Sequence, residues 1–259
     1  MVVALVVSIG WVVSELTSVS SHFLGSIASP QLRSGVSMAS ESTMQPTVLV
    51  VDFGAQYAQL IARRVREAQV YSEIVPHRIT AQEVRQRKPI GIILSGGPAS
   101  VHVEGAPLLD PEIYELGIPI LGICYGCQLI AQQLGGEVAR GGRGEYGRTT
   151  LQRIAGSTSQ LHHDGIPAQL SVWMSHFDAV SVLPSGFVAT ASTPDAPMAV
   201  IESPTRKIWG VQYHPEVGHT ERGQDVLEQF LHQLVGAERS WTMSSIVDDQ
   251  VAAIRELVG

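Results

Sequence analysis

The chemistry this chain can do begins at Gly122-Ile123-Cys124-Tyr125-Gly126, where a thiol stands between two glycines. The apolar run Ile118 to Ile123 leads straight into it, and a helical pattern from Cys127 to Leu134 follows. Gly-x-nucleophile-x-Gly between a strand and a helix has the form of a nucleophile elbow, a sharp turn that lifts the reactive atom above a sheet. Side chains at the two glycines would collide with neighbouring backbone. The positive end of the following helix favours thiolate over thiol. Two other readings use the same residues. A cysteine in an apolar strand can be a packing residue, and Cys124-Tyr125-Gly126-Cys127 is also a C-x-x-C, the setting of a dithiol redox pair.

These readings differ in what else the chain must supply. An acyl-transfer cysteine needs a histidine, an acid to orient it and donors for an oxyanion, whereas a redox pair needs no distant base. His214-Pro215-Glu216 follows the apolar stretch Ile208 to Tyr213. His214 can take the thiol proton and later hand it to a leaving group, while Glu216 fixes the ring tautomer. Taken alone, His-Pro-Glu also reads as an exposed turn with a solvated glutamate. Ser95-Gly96-Gly97-Pro98 lacks the Lys-Ser/Thr ending of a phosphate loop. It reads either as a plain turn or as an oxyanion site in which the Gly97 amide joins that of Tyr125.

The elements that must position these residues follow from periodicity. Val48 to Val51 is a continuous apolar run of buried-strand type, and Gln56 to Glu67 repeats apolar residues at helical spacing. Tyr71 to Val75, Ile90 to Leu94 and Ile118 to Ile123 read as further strands, with a short helix at Ala81 to Arg87. Alternating strands and helices predict an α/β fold: an open, mostly parallel sheet covered by helices on both faces. Its ligands sit at the carboxyl ends of the strands, where the loops after Leu94 and around Cys124 both lie. From Thr149 to Gln212 the pattern changes to short β-type stretches at Val172 to Met174, Phe187 to Ala191, Met198 to Ile201 and Ile208 to Tyr213, a small antiparallel portion. Gln224 to Val235 closes the domain as an amphipathic helix.

Composition narrows the class of function. With 259 residues, 44% hydrophobic and 16% charged, the chain can bury a sizeable core. A formal net charge of -7 offers no basic stripe, so no nucleic-acid partner is expected. Two cysteines cannot complete a zinc set, so no metal is expected, and they suit a reducing cytoplasm. The first residues stand apart. Met1 to Val13 is apolar, but it has no basic segment ahead of it as a signal peptide would, and a membrane span needs about 20 apolar residues. Residues 1–46 are expected to be a disordered or mis-started extension, with Met38 or Met44 as the working initiator and no membrane partner.

Together, Gly-Ile-Cys-Tyr-Gly at 122–126, Gly-Gly-Pro at 96–98 and His-Pro-Glu at 214–216 resemble the triad-type glutamine amidotransferases. Within that family the chain is similar to the glutaminase domain of the GMP synthases. The resemblance is carried further by Val51-Asp52-Phe53-Gly54-Ala55-Gln56-Tyr57, Glu145-Tyr146-Gly147-Arg148, Val172-Trp173-Met174-Ser175-His176 and Val211-Gln212-Tyr213-His214-Pro215-Glu216. It spans residues 47–237 in order and implies a flavodoxin-like α/β fold with a nucleophile elbow.

The resemblance implies Cys124 as nucleophile, His214 as base and Glu216 as its orienter, with the Gly97 and Tyr125 amides as oxyanion hole. It implies that Gln128 and the loop Ser175-His176-Phe177-Asp178 hold L-glutamine, through Gln128, Ser175, Phe177 and Asp178. Phe177 stands where the family has glycine. If that position needs φ > 0, phenylalanine strains it and glutamine affinity falls. Residues 238–259 look like the linker and first helix of the ATP pyrophosphatase domain of GMP synthase, whose Ser-Gly-Gly-Val-Asp-Ser motif does not occur here. The implied partner is that domain or a separate subunit. It would use ATP and Mg to aminate XMP with ammonia from this domain, which needs no cofactor of its own. A catalytically idle regulatory half and a dithiol oxidoreductase are the alternatives.

Overall fold

The computed structural model describes residues 45–54, 57–97 and 100–242. The extension expected over 1–46 lies outside the described residues up to Met44, and the expected synthetase helix lies outside them from Met243. The elements run β1 (Thr47–Asp52), α1 (Tyr57–Glu67), β2 (Tyr71–Pro76), α2 (Ala81–Arg87), β3 (Gly91–Leu94), β4 (Ile120–Ile123) and α3 (Tyr125–Gln133). There follow β5 (Glu137–Arg153), β6 (Gln169–Val182), β7 (Val188–Ser192), β8 (Val200–Ser203), β9 (Ile208–Val211) and α4 (Gly223–Glu228). A 3-10 turn at Pro111–Glu115 precedes β4, and α4 continues as wider turns through Gln229–Leu234. Among the described residues no helix is long and apolar enough to cross a membrane.

Nine strands of the described chain form one sheet in the order β2-β1-β3-β4-β9-β8-β7-β5-β6. The first five are parallel, and β9, β8, β7, β5 and β6 pair antiparallel in turn. The continuous apolar runs in the parallel strands have a direct cause: alternate residues face opposite layers, and both layers are dry. Val48, Val50, Ile93 and Leu121 join one core with Ile61 and Val65 of α1 and Val226 and Leu227 of α4. Leu49, Val51, Ile92, Leu94 and Ile120 join the other with Val84 of α2 and Leu129 and Ile130 of α3. Each such side chain contributes about 1.5–3 kcal/mol by leaving water.

The chain leaves β1 for β2 on one side and returns to β3 on the other. The strand order thus reverses between β1 and β3, and the crevice at such a reversal is where open α/β sheets bind ligands.

The antiparallel portion expected from the sequence is present, and its longest strands exceed the stretches the pattern marks. It extends the same sheet, and Val172 to Met174 is only the middle of β6. Two of its strands are long, 17 residues in β5 and 14 in β6. Glycines conceal β5, because Gly141, Gly142, Gly144 and Gly147 remove the β-branched signal of a strand. Gly144 (φ +68) and Gly147 (φ +95) need left-handed backbone, and the register shifts between Arg140 and Glu145 as at a bulge.

Candidate functional site

The strand-to-helix turn at Cys124 is built by close approach. A methyl group on Gly122 would lie 2.6 Å from the backbone of Gly126, and one on Gly126 would lie 2.5 Å from the Leu94 carbonyl oxygen. With both positions bare, α3 can begin at Tyr125, directly after Cys124 and two residues earlier than its periodicity suggested. Cys124 itself takes φ 52°, ψ −105°, outside the populated regions for an L-residue. Such strain costs on the order of 1–3 kcal/mol and persists where surrounding structure enforces it. Here the Cys124 amide continues the ladder to the Val211 carbonyl at 2.8 Å, and the α3 N-terminus closes the turn.

The second strand end brings His214. Its amide donates to the Trp173 carbonyl (3.0 Å), and its own carbonyl accepts from the Thr220 hydroxyl (2.6 Å). His214 Nδ1 lies 2.8 Å from Glu216 Oε1, both side chains being almost fully buried. Arg64 Nε donates to the Glu216 carbonyl at 2.9 Å, which ties the turn to α1. The ring of Tyr57 lies over that of His214, centroids 4.8 Å apart. Burial alone would lower the pKa of His214. The charge and hydrogen bond of Cys124, with the contact to Glu216, outweigh it and push it up to about 11. A thiol beside a proton-holding histidine backed by a carboxylate can attack an acyl carbon and protonate what leaves.

The loop after β3 closes the third side. Ser95 accepts the Phe53 amide on its hydroxyl and the Gly126 amide on its carbonyl. A methyl at Gly96 would lie 3.2 Å from His214 Cε1, and one at Gly97 would lie 3.0 Å from the Tyr125 ring. Bare backbone therefore faces the thiol.

A cavity of about 640 Å³ is lined by Gly97, Cys124, Tyr125, Gln128, Ser175, Phe177, Asp178 and His214, together with Gly54, Tyr57, Ser100, Tyr146 and His176. Every site residue expected from the sequence thus meets here, except that Glu216 stands behind His214, completely buried. Ser175 presents its carbonyl oxygen 3.8 Å from Cys124 Sγ. Ser100 donates to the Asp178 carboxylate. Gln128 Nε2 donates to the Asp178 carbonyl at 2.6 Å.

One expectation changes. Phe177 is not among the residues with positive φ; it continues strand β6, so the strain expected there is absent. Its ring is 45% exposed at the cavity mouth beside Tyr146. Cys127 points away from the cavity. It is fully buried with its sulfur against Gly210, where a methyl would lie 2.7 Å away, and burial drives its pKa up, which disfavours the thiolate that a dithiol pair would need.

Sequence reasoning missed Gln212, although its side chain reaches the centre: Nε2 lies 3.7 Å from Cys124 Sγ, and Oε1 accepts from Gln128. A glutamine at the end of an apolar strand, two residues before the histidine, was the available signal.

The comparisons with known proteins agree with this geometry. Residues 49–234 match the class-I glutamine amidotransferase family. The chain is 57% identical over 224 residues to a glutamine-hydrolysing GMP synthase of Thermobifida fusca, covering 86% of this chain and 42% of that protein. It is 56% identical to that of Nocardia farcinica, covering 83% and 40%. It thus spans less than half the length of these relatives. A Thermoplasma acidophilum protein assigned as one subunit of a GMP synthase superposes with a TM-score of 0.65 at 29% identity, over 80% of this chain and 98% of that one. A glutamine amidotransferase from Thermotoga maritima shares the fold, with a TM-score of 0.59 at 20% identity over 74% of this chain and 99% of that one. With the fold, the cavity and the match over residues 49–234 in agreement, the chain belongs to the class-I glutamine amidotransferase family.

Proposed function

We propose that this chain hydrolyses L-glutamine to glutamate and ammonia through a thioester on Cys124. The observation that carries the reading is the strained Cys124 at the head of α3 beside His214, whose other nitrogen is held by Glu216 at 2.8 Å. His214, raised to about 11, holds a proton at neutral pH, before glutamine arrives. The Cys124 sulfur attacks the side-chain amide carbon, and the Gly97 and Tyr125 amides receive the negative oxygen. The carbon–nitrogen bond then breaks, and ammonia leaves with the proton from His214. Water, giving its proton back to His214, cleaves the thioester to glutamate. Gln128, Ser175, Phe177 and Asp178 hold the amino-acid end, with the Asp178 carboxylate suited to an ammonium group.

The names of the relatives extend the reading. The relatives from Thermobifida fusca and Nocardia farcinica are glutamine-hydrolysing GMP synthases. The ammonia would serve an ATP pyrophosphatase domain or subunit that aminates XMP with ATP and Mg, the hydrolysis itself needing no cofactor. The amidotransferase domain is taken as residues 47–237, with 238–259 leading toward that synthetase, and the setting as the cytoplasm.

Glutamate release should be measured for wild type, Cys124→Ala and Cys127→Ser, with and without a GMP synthase pyrophosphatase domain. Loss in Cys124→Ala alone is expected. Equal loss in both variants would point to a dithiol pair, and no release even with the partner would leave an idle site.

A further inference from the structure

We infer that His176 and Glu145 form a buried clamp on the Asp178 carbonyl that positions the glutamine-holding wall of the cavity, an inference that rests on the glutaminase reading above. Strands β5 and β6 place Glu145 and His176 directly opposite one another, at the register shift. Their side chains are 5% and 1% exposed. His176 Nε2 lies 3.1 Å from Glu145 Oε2, and Nδ1 lies 3.0 Å from the Asp178 carbonyl oxygen.

Proton counting fixes how this pair is bonded. A neutral imidazole offers one donor and one acceptor, and a carbonyl oxygen only accepts. Glu145 also receives the Thr193 hydroxyl at 2.6 Å on Oε2 and the Asp195 amide at 3.3 Å on Oε1. The carbonyl therefore takes the Nδ1–H of His176, and one further proton lies between Nε2 and Glu145 Oε2. A buried polar pair is weak evidence of stability by itself, so its position is the informative feature.

The clamped carbonyl is a junction. Asp178 O also accepts from Gln128 Nε2, and Gln128 Nε2 donates again to Gln212 Oε1 at 3.2 Å. Gln212 in turn reaches Cys124 Sγ. The orientations of Gln128 and of the Asp178 carboxylate both depend on where that carbonyl is held. Neither His176 nor Glu145 is needed for the bond changes at sulfur, so both are positioning residues.

The test compares two reagents on Cys124, with the adduct located by mass spectrometry. One is 6-diazo-5-oxo-L-norleucine, which must bind as glutamine does; the other is iodoacetamide, which needs only the thiolate. Glu145→Ala and His176→Ala should each slow the glutamine analogue roughly tenfold while changing iodoacetamide less than about twofold, as loss of one buried hydrogen bond predicts. The double variant should be no slower than either single one, because one unit is lost. His176→Asn, which keeps a donor near the place of Nδ1, should recover most of the rate.

If His176→Ala does not fold, Glu145→Gln tests the same contact, since it keeps the shape and turns one acceptor into a donor. Equal slowing of both reagents, additive effects in the double variant, or an unchanged analogue rate would each overturn the clamp. A wild-type protein that the analogue alkylates no faster than iodoacetamide does would instead overturn the glutaminase reading, and the clamp with it.

Discussion

Glu216 Oε1 holds His214 Nδ1 at 2.8 Å, while the other carboxylate oxygen, Oε2, is buried without a hydrogen-bond partner. The carboxylate thus directs its charge to one ring. Removing that ring leaves an uncompensated buried charge, which is strongly destabilising. His214→Ala should therefore lower stability by about 3–5 kcal/mol, whereas a His214→Ala/Glu216→Gln double variant should recover part of the loss. Denaturant midpoints for the two proteins check this; equal midpoints would show that the carboxylate charge is not the cause.

The raised pKa of His214 has a sign that can be followed in pH. Folded at about 11 against an ordinary 6.5, the group contributes stability that is fully present below 6.5 and lost as pH rises toward 11, because over that window the folded state binds more protons. Cys124 supplies the leading contributions that raise it. Melting temperature should fall more steeply between pH 7 and pH 10 in wild type than in Cys124→Ala. Parallel curves for the two proteins would contradict the coupling.

The bare backbone of the elbow sets a steric prediction. A methyl at Gly126 meets the Leu94 carbonyl at 2.5 Å, with no flexible side chain to give way. Gly126→Ala should cost about 1–3 kcal/mol, the usual range for overpacking, and should lose glutamate release. Gly96→Ala has only a 3.2 Å approach to His214 Cε1, so it should keep its stability and slow turnover instead. Urea titration with a glutamate assay separates the two cases.

Gln212 reaches both Cys124 and Gln128 from a buried position. Gln212→Leu removes both contacts and leaves one N–H of the Gln128 amide unpaired while the other still meets the Asp178 carbonyl, a loss of about 1–3 kcal/mol for an unsatisfied buried donor. It should lower kcat/KM for glutamine by roughly tenfold or more. A value within twofold of wild type would leave Gln212 a packing residue.

Phe177 needs no left-handed backbone, so glycine there relieves nothing. Phe177→Gly should cost about 0.5–1 kcal/mol from glycine's added unfolded-state freedom in a strand. If the exposed ring narrows the cavity mouth, KM for glutamine shifts while turnover holds; steady-state kinetics reads both.

Much of this molecule was already legible in its residues. The runs Val48 to Val51 and Ile90 to Leu94 announced strands dry on both faces, since no solvent-facing alternation interrupts them. Gly122-x-Cys124-x-Gly126 announced the elbow, because only glycine tolerates backbone at 2.5–2.6 Å. His214-Pro215-Glu216 put a histidine and a carboxylate within one turn, and the fold brings them to 2.8 Å.

What the residues left open depends on partners distant along the chain. Strand β5 stayed hidden because its glycines carry no strand signal, and its pairing with β6 fixes it instead. Gln212 meeting Cys124, and Glu145 meeting His176, follow from sheet order and from the register shift between Arg140 and Glu145. Local sequence sets the period and the turn chemistry of each element. Register and burial are collective outcomes of packing, so the tertiary structure alone decides which polar side chains end up facing one another in the dry interior.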